Sequence, residues 1–310
     1  MRRNPVYSRE MRVSSRSLRL PLILMFFNGI LFLVTLLNMY SVVEQVKTTA
    51  TIQYSSFIDI YEFVTTIEFV LLVFIVPAVT AASISGERER QTLELMLTTQ
   101  MTAFQVVMGK LLSALSTLML LIFSSFPSIA MVFVYGGITW GDVLSIFICY
   151  GTVALFAGSI GLCCSAVFKR STMSTVVTYG VLIAVIAGGY FINKFALSMS
   201  TLNLSKAASA YGFGENVVRP SSGGVFYLLL LNPAVTFISM ISSQAGSSRP
   251  LTRMCNDFGM EYSGFVMDHW IPLSIFIQLA VAAVMIIIAI WAVEPVKSRF
   301  RRKNNVGKGK

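Results

Sequence analysis

The sequence SGERERQTLELMLTTQMTAFQVVMGK, residues 85–110, is a polar island between two long apolar runs. Each neighbouring run is long enough to cross a lipid bilayer as a helix. The island is therefore predicted to lie at a membrane surface, where its charged side chains face water.

The first half of the island has the periodicity of a short amphipathic helix, with polar side chains on one side and apolar side chains on the other. The polar set is Glu87, Arg90, Gln91 and Glu94, and the apolar set is Leu93, Met96 and Leu97. Ser85 is expected to cap the N-terminus of this helix, and Glu87 and Glu89 suit its positive end.

A second helix is predicted to begin within the same island. Thr102 and Gln105 have the spacing of a capping box, in which each side chain bonds the backbone N–H of the other residue. Met101 and Val106 are placed as the accompanying hydrophobic staple. The island is thus predicted to fold as helix, break and helix, with the second helix continuing into the next apolar run.

The composition places the chain among polytopic membrane proteins and excludes a water-soluble fold. Hydrophobic residues make up 55% of the sequence and charged residues 12%, and the mean hydropathy is +0.74. The net charge of +10 comes from basic residues at the ends of apolar runs, which reflects membrane topology and not nucleic-acid binding. Three of the four cysteines lie in an apolar run and Cys255 in a loop, so no internal disulfide is expected.

The fold class predicted is an all-α membrane protein with a single domain over residues 1–310. Six spans are predicted at residues 21–43, 60–84, 104–135, 142–168, 173–193 and 270–293. The polar stretch from Glu44 to Asp59 is expected to be a loop. Residues 4–20 are predicted to form an interfacial helix on an anionic leaflet, because Arg9, Arg12, Arg16 and Arg19 repeat at helical spacing. The alternative is a basic cytoplasmic tail.

Residues 194–269 form the longest stretch without a predicted span and are interpreted as an outer loop. Within them, residues 225–241 are apolar but interrupted by Asn232 and Pro233. A run this short and broken favours a re-entrant hairpin of two half-helices over a full crossing. The basic N-terminus and the basic residues after position 296 share the cytoplasmic side only if the number of crossings is even, and six satisfies this.

Two features inside the predicted spans have alternative interpretations. Glu68 lies well inside the second span, where a carboxylate costs about 2.5 kcal/mol or more. It is either a contact for substrate, proton or partner subunit, or a structural hydrogen bond between helices. The fourth span carries a stripe of small residues that allows another helix to approach closely, within the subunit or at an interface. The stripe consists of Gly151, Ala154, Gly158, Gly161 and Ser165.

A longer motif runs through the island. It comprises Gly86-Glu87-Arg88, Arg90, Thr92, Glu94-Leu95, Thr98-Thr99 and Gly109-Lys110. Together with the opening Asn4-Pro5-Val6 and with Leu231-Asn232-Pro233, this pattern resembles the permease subunits of type-two ATP-binding-cassette exporters.

The resemblance implies that residues 85–101 form a cytoplasmic coupling helix, which docks on a separate ATP-binding-cassette ATPase subunit at the plasma membrane. The ATPase-coupling residues that it implies are Glu87, Arg88, Arg90, Gln91, Glu94, Leu93, Met96 and Leu97. It also implies a second permease subunit, identical or related, and two cytoplasmic termini. ATP and Mg²⁺ are then expected on the ATPase and no cofactor on this chain, because Gly109-Lys110 lacks the remainder of a GxxxxGK[ST] loop.

Two other functional classes are alternatives. An intramembrane enzyme would have to use His269 beside Asp268, but no HExxH or GxSxG motif accompanies them. An ion-coupled secondary transporter could use Glu68 without any ATPase. Such transporters usually contain duplicated halves with interrupted helices, and the sequence shows no such duplication.

Overall fold

The computed structural model describes residues 5–49, 54–93, 101–136, 139–211, 219–244, 249–261 and 264–294. Within these ranges all regular secondary structure is helical, so the predicted all-α fold is confirmed. The α-helices are α1 (Pro5–Arg16), α2 (Arg19–Thr49), α3 (Tyr54–Thr80), α4 (Ser85–Glu89), α5 (Ala103–Gly136), α6 (Trp140–Val167), α7 (Ser171–Ile183), α8 (Gly189–Tyr211), α9 (Pro233–Gln244), α10 (Arg249–Asp257), α11 (Phe265–Asp268) and α12 (Trp270–Val293). A π-helical turn (Ala184–Gly188) joins α7 to α8, and a 3₁₀ helix (Gly223–Leu231) precedes α9.

Six helical stretches in the described part of the chain are long and apolar enough to cross a membrane, as predicted. They are Leu20–Gln45, Ile58–Glu89, Ala103–Pro127, Trp140–Val167, Ser171–Lys206 and Trp270–Val293. The 3₁₀ helix and α9 meet at Asn232 with a bend of 86°. The predicted break at Asn232 and Pro233 is therefore present, and its assignment as a re-entrant hairpin stays a prediction.

The polar loop predicted from Glu44 to Asp59 is wrong over most of its length. Helix α2 continues to Thr49 and α3 begins at Tyr54. Lys47 donates to the Glu44 carboxylate at 2.8 Å, one turn earlier on the same helix. Polar side chains reach water from a helix as readily as from a loop, and the helix keeps its backbone groups bonded. The helix therefore continues beyond the last residues of the apolar run.

The outer loop predicted to start at residue 194 is also wrong at its beginning, because α8 remains helical to Tyr211. The ammonium of Lys194 lies over the rings of Tyr190 and Phe258, at 5.8 and 5.6 Å from their centroids. This contact accommodates the charge without ending the helix. The π-helical turn that precedes α8 ends at Gly188.

The chain divides into two compact units. The first contains residues 1–139, 150–179 and 280–310. In it, α3 packs against α5, α2 packs against both, and α1 packs on α5. Its fully buried side chains include Phe27, Leu72, Leu118 and Phe156. One side of α2 carries exposed apolar side chains, such as Met25 at 71% and Phe26 at 68%, as expected of a surface in contact with lipid.

The small-residue stripe of α6 packs against other helices of the first unit. An ideal Cβ built on Gly158 would lie 3.7 Å from side-chain atoms of Thr80 and Val76, in ordinary contact. One built on Gly161 would lie 2.2 Å from Thr80 Oγ1, so only glycine fits between α6 and α3 at that level. The stripe therefore mediates packing within the subunit, one of the two alternatives left open by the sequence.

The second unit contains residues 140–149 and 180–279. Its apolar core is formed mainly by the 3₁₀ helix, α9, α10 and the start of α12. The core includes Phe226, Phe258 and Trp270. Gly259 has φ of +67°, and a Cβ there would lie 1.9 Å from the Pro220 carbonyl oxygen, so the turn after α10 requires glycine. Cys255 lies in α10 and not in the predicted loop. Its thiol is free and its burial raises the pKa.

Substituting Gly161→Ala is expected to destabilise the chain, because Thr80 must move to admit the methyl group. Overpacking of this kind costs about 1–3 kcal/mol, which lowers the thermal unfolding midpoint by about 2–4 °C per kcal/mol. The measurement is the unfolding midpoint of the purified chain. Gly29→Ala is the matched control, because nothing lies within 4 Å of its Cβ position. Thr80→Ala added to Gly161→Ala should recover most of the loss, and an equal shift in both single glycine variants would contradict this contact.

Candidate functional site

The candidate site is the segment that joins α3 to α5, whose described part, residues 81–93, is called the elbow below. After α3 ends at Thr80, a turn leads into α4, which stops at Glu89. Gln91 then has φ of +58°, a left-handed conformation typical of the residue after a helix end. The single amphipathic helix predicted through this region is therefore wrong, because it is interrupted at Gln91.

Hydrogen bonds at the end of α4 explain this interruption. The backbone N–H groups of Arg90 and Gln91 donate to the Gly86 and Arg88 carbonyls at 3.2 and 3.1 Å. The Thr92 hydroxyl donates to the Glu87 carbonyl at 3.2 Å. The Arg90 bond is the last regular helical one. The Glu87 and Arg88 carbonyls, which a continuing helix would offer to the N–H groups of Gln91 and Thr92, are instead occupied by the Thr92 hydroxyl and the Gln91 N–H.

Ser85 does not act as the N-cap that the sequence suggested. The N-cap position is Ile84, with no capping bond from its side chain, and the Ser85 hydroxyl bonds back to the Ala81 carbonyl at 3.3 Å. Instead, the N–H groups of Ile84 and Ser85 both donate to Ser165 Oγ of α6, each at 2.9 Å. The start of α4 is capped by a side chain from another helix.

Two further polar contacts join the elbow to α7. The Ser174 hydroxyl donates to the Ala81 carbonyl at 2.6 Å. The Glu89 carboxylate accepts the Ser171 N–H at 2.9 Å and the Ser171 hydroxyl at 2.7 Å. Ser171 is the first residue of α7, so Glu89 caps that helix and favours its positive N-terminal end.

Lys110 joins three helices at the side of the elbow. Its side chain is only 5% exposed and its ammonium lies 2.9 Å from Glu87 Oε1 of α4 and 3.3 Å from Glu10 Oε1 of α1. Glu87, with 16% of its side chain exposed, therefore points into the protein. A buried cation with two carboxylates fixes the positions of α1, α4 and α5 relative to one another.

Below these polar contacts lies a buried apolar cluster. Leu93 of the elbow is 4% exposed and belongs to it. Ile84 also comes from the elbow, and four helices of the first unit contribute the rest; the buried members are Val6, Ile84, Leu93, Val106, Val107, Leu111, Leu162, Cys163, Ala166, Ala289 and Val293. The elbow thus rests on a surface assembled from α1, α5, α6 and α12.

The outer surface of the elbow carries the exposed side chains of Glu89, Arg90 and Gln91, while Arg88 is half-buried. Of the other predicted coupling residues, Glu94, Met96 and Leu97 lie outside the described residues. The predicted start of the next helix is confirmed: Thr102 N–H donates to Gln105 Oε1 at 3.1 Å, and Gln105 N–H donates to Thr102 Oγ1 at 3.2 Å.

Glu68 lies away from the elbow, inside the first unit. It is completely buried, and one carboxylate oxygen accepts a hydrogen bond from the Ser125 hydroxyl of α5. The structure therefore contains the interhelical hydrogen bond that was one of the two interpretations of Glu68. A role in a translocation path or at a subunit interface stays a prediction.

Asn232 organises the bend in the second unit. Its side-chain oxygen accepts the Ala234 N–H at 3.0 Å, which caps α9 just before Pro233 begins the helix. Its amide NH₂ donates to the Ile186 carbonyl at 2.8 Å, inside the π-helical turn. One side chain thus stabilises two irregular segments 46 residues apart.

The groups that fix the elbow from outside it were not predicted from the sequence. Ser165 was included only as a small residue of the stripe, and Lys110 only as a motif position. The available signal for the ion pairs was the position of Lys110 inside a predicted span, where a charged side chain needs a partner. Ser171 and Ser174 gave no signal, because serines are common at helix starts and in apolar helices.

Comparison with known proteins gives one family. The family model described as ABC-2 family transporter protein matches residues 5–304. No curated protein matches the chain.

Removing the Ser165 hydroxyl should destabilise the elbow selectively. Ser165→Ala leaves two buried N–H donors without their acceptor, at an expected cost of about 1–3 kcal/mol. Hydrogen exchange of the Ile84 and Ser85 amides should accelerate about tenfold or more. Ser145→Ala is the control, since that hydroxyl bonds only the Gly141 carbonyl of its own helix. Unchanged exchange at both amides would show that Ser165 does not hold them.

Removing the Lys110 charge should destabilise the first unit more than removing an exposed lysine. Lys110→Met leaves two carboxylates without their cation, for which the expected cost is about 3 kcal/mol. Lys47→Met is the control, because its pair with Glu44 is 65% and 46% exposed and is worth about 0–1 kcal/mol.

The measurement is again the thermal unfolding midpoint of the purified chain. Combining Lys110→Met with Glu10→Gln and Glu87→Gln should restore most of the stability, since no buried charge then remains. If Lys110→Met and Lys47→Met shifted the midpoint equally, the three-helix junction would not contribute as described.

Proposed function

The chain belongs to the ABC-2 family of transporter proteins, and we propose that it is the membrane-spanning permease subunit of an ATP-driven exporter in the plasma membrane. In this family the permease is a membrane subunit and ATP is hydrolysed on another. ATP and Mg²⁺ are then bound by a cytoplasmic ATP-binding-cassette ATPase. A second permease subunit, a copy of this chain or a relative, completes the transporter.

The observation that carries this proposal is the asymmetry of the elbow. Its inner side is fixed by Ser165, Lys110 and the apolar cluster, and Glu89 bonds the start of α7. Its outer side presents Arg90 and Gln91 as exposed side chains. A segment that is anchored on one side and charged on the other suits docking on a separate subunit.

The anchoring gives a physical route for coupling. A push on Arg90 or Gln91 moves the elbow, and the elbow cannot move without displacing the ends of α3 and α5 or breaking its bonds to α6 and α7. Packed helices respond to such a displacement by rigid-body tilting and not by continuous deformation. Closure of an ATPase dimer beneath the elbow would thereby tilt the spans.

The exposed cations on α1 support a cytoplasmic position for the elbow. Arg9, Arg12 and Arg16 are all exposed, and excess basic residues mark the cytoplasmic side of membrane proteins. Helix α1 is bonded to α5 through Glu10 and Lys110, next to the elbow. The elbow and the N-terminus therefore share one side of the membrane, which we assign to the cytoplasm.

Reversing the charge of Arg90 should weaken the association with the ATPase. The full chain, tagged and purified in mild detergent from its native cells, is expected to retain a subunit that hydrolyses Mg-ATP. Arg90→Glu should lower the retained ATPase about tenfold or more, because its contact becomes repulsive, equivalent to about 1.4 kcal/mol. Arg253→Glu is the matched control, an exposed arginine in the second unit.

Absence of any ATPase from the purified wild-type chain, or equal retention by both variants, would contradict the proposal.

The side of the membrane on which the elbow lies is measured in the same cells with Gln91→Cys, which a membrane-impermeant maleimide should label only after permeabilisation. Lys47→Cys, at the opposite end of α2 from α1, should be labelled in intact cells. Labelling of Gln91→Cys from outside would refute the cytoplasmic assignment.

A further inference from the structure

A cavity of about 570 Å³ lies beside the elbow in the first unit. Its lining comes from α1, the first turns of α2, the end of α3, the elbow, α5 and Ser171. The volume lies in the range of small-molecule binding sites, about 300–1,000 Å³. Neither the coupling of the elbow nor the packing of the spans requires a space of this size.

The charged lining of the cavity is balanced. Among the described lining residues, three are cationic and three are acidic, namely Arg9, Arg90 and Lys110, and Glu10, Glu87 and Glu89. Lys110 bonds two of the carboxylates, so its cluster keeps a net negative charge. Glu89 accepts hydrogen bonds from Ser171 and remains an anion. Arg9 and Arg90 are the cationic side chains of the described lining outside the Lys110 cluster.

This pattern selects for a ligand with both charges. A simple anion would face three carboxylates, and a simple cation would face three basic groups. A zwitterion can place its negative group near Arg9 and Arg90, since guanidinium groups bind phosphate oxygens well. Its ammonium can then bond the Glu10 carboxylate, whose side chain is 32% exposed.

The remaining lining is amphipathic. Six hydroxyl side chains and six apolar side chains complete the described lining, and the apolar ones include Leu20, Ile23 and Val79. Leu20 and Ile23 lie in the first turns of α2, and the same turns expose Leu22 at 57% and Met25 at 71%. A ligand with acyl chains can therefore reach the cavity from the lipid that surrounds α2.

We propose that this cavity binds a zwitterionic phospholipid, with a phosphate and a primary ammonium in its headgroup, drawn from the leaflet in which the elbow lies. Phosphatidylethanolamine is the probe of this class. The bound headgroup would contact α1, the elbow and α5 at once, and so would stabilise their junction. The proposal requires neither ATP nor an ATPase, so it stands or falls independently of the proposed function.

The test is lipid binding by the full chain, purified in detergent, stripped of lipid and titrated by native mass spectrometry. Phosphatidylethanolamine is expected to bind at least tenfold more tightly than phosphatidylglycerol or diacylglycerol with the same acyl chains. Equal binding of the three lipids, or preference for phosphatidylglycerol, would overturn the proposal.

Variants locate the site. Gly86 lines the cavity and nothing lies within 4 Å of its Cβ position, so Gly86→Leu fills open space and should reduce binding at least tenfold. Gly29→Leu is the control, a glycine with equally open surroundings that does not line the cavity. Arg90→Gln and Glu10→Gln should each weaken phosphatidylethanolamine binding and reduce its advantage over diacylglycerol. Unchanged affinity in Gly86→Leu and in Arg90→Gln would refute the site.

Discussion

Two backbone N–H groups, of Ile84 and Ser85, determine how the elbow is built. Where α3 ends, the carbonyls that would normally accept them are already occupied: Thr80 by Ser83, and Ala81 by Ser174. Buried donors without acceptors are costly. Ser165 of α6 supplies one oxygen to both. The direction in which the chain leaves α3 is therefore fixed by α6, through Ser165, and not by α3 or α4 themselves.

The bonds around that point form two layers with different physical character. Serine and glutamate contacts are directional and hold the elbow in one orientation. The apolar cluster beneath it, which includes Leu93 and Val293, is non-directional and resists separation. Together they anchor the elbow to several helices, as the proposed coupling requires.

The features that could be predicted from sequence were those with a strong periodic or local signal. The six spans follow from hydropathy, the capping box at Thr102 from two residues three apart, and the bend from Asn232-Pro233. The ends of helices were less predictable, because α2 and α8 continue past the apolar residues on which the predicted bounds relied. The interruption at Gln91 depends on how Thr92 and the turn use nearby carbonyls, which no periodicity encodes.

The contacts that fix the site were the least predictable. Lys110 finds Glu10 and Glu87 at separations of 100 and 23 positions, and Ser165 reaches back 80 residues to Ser85. Such pairs depend on which helices become neighbours, and a single sequence does not state that. Asn232 was predictable in part. Its position before a proline indicated a break in the helix, but its bond to the Ile186 carbonyl did not follow from the sequence.

That bond has a consequence for biogenesis. The Ile186 carbonyl belongs to a helix that leaves the ribosome 46 residues before Asn232 does. Backbone polar groups in lipid must be satisfied within the protein, so we expect the π turn to reach its final geometry only after Asn232 has been synthesised and has folded against it. The mature shape of this segment would then depend on a helix that is synthesised after it.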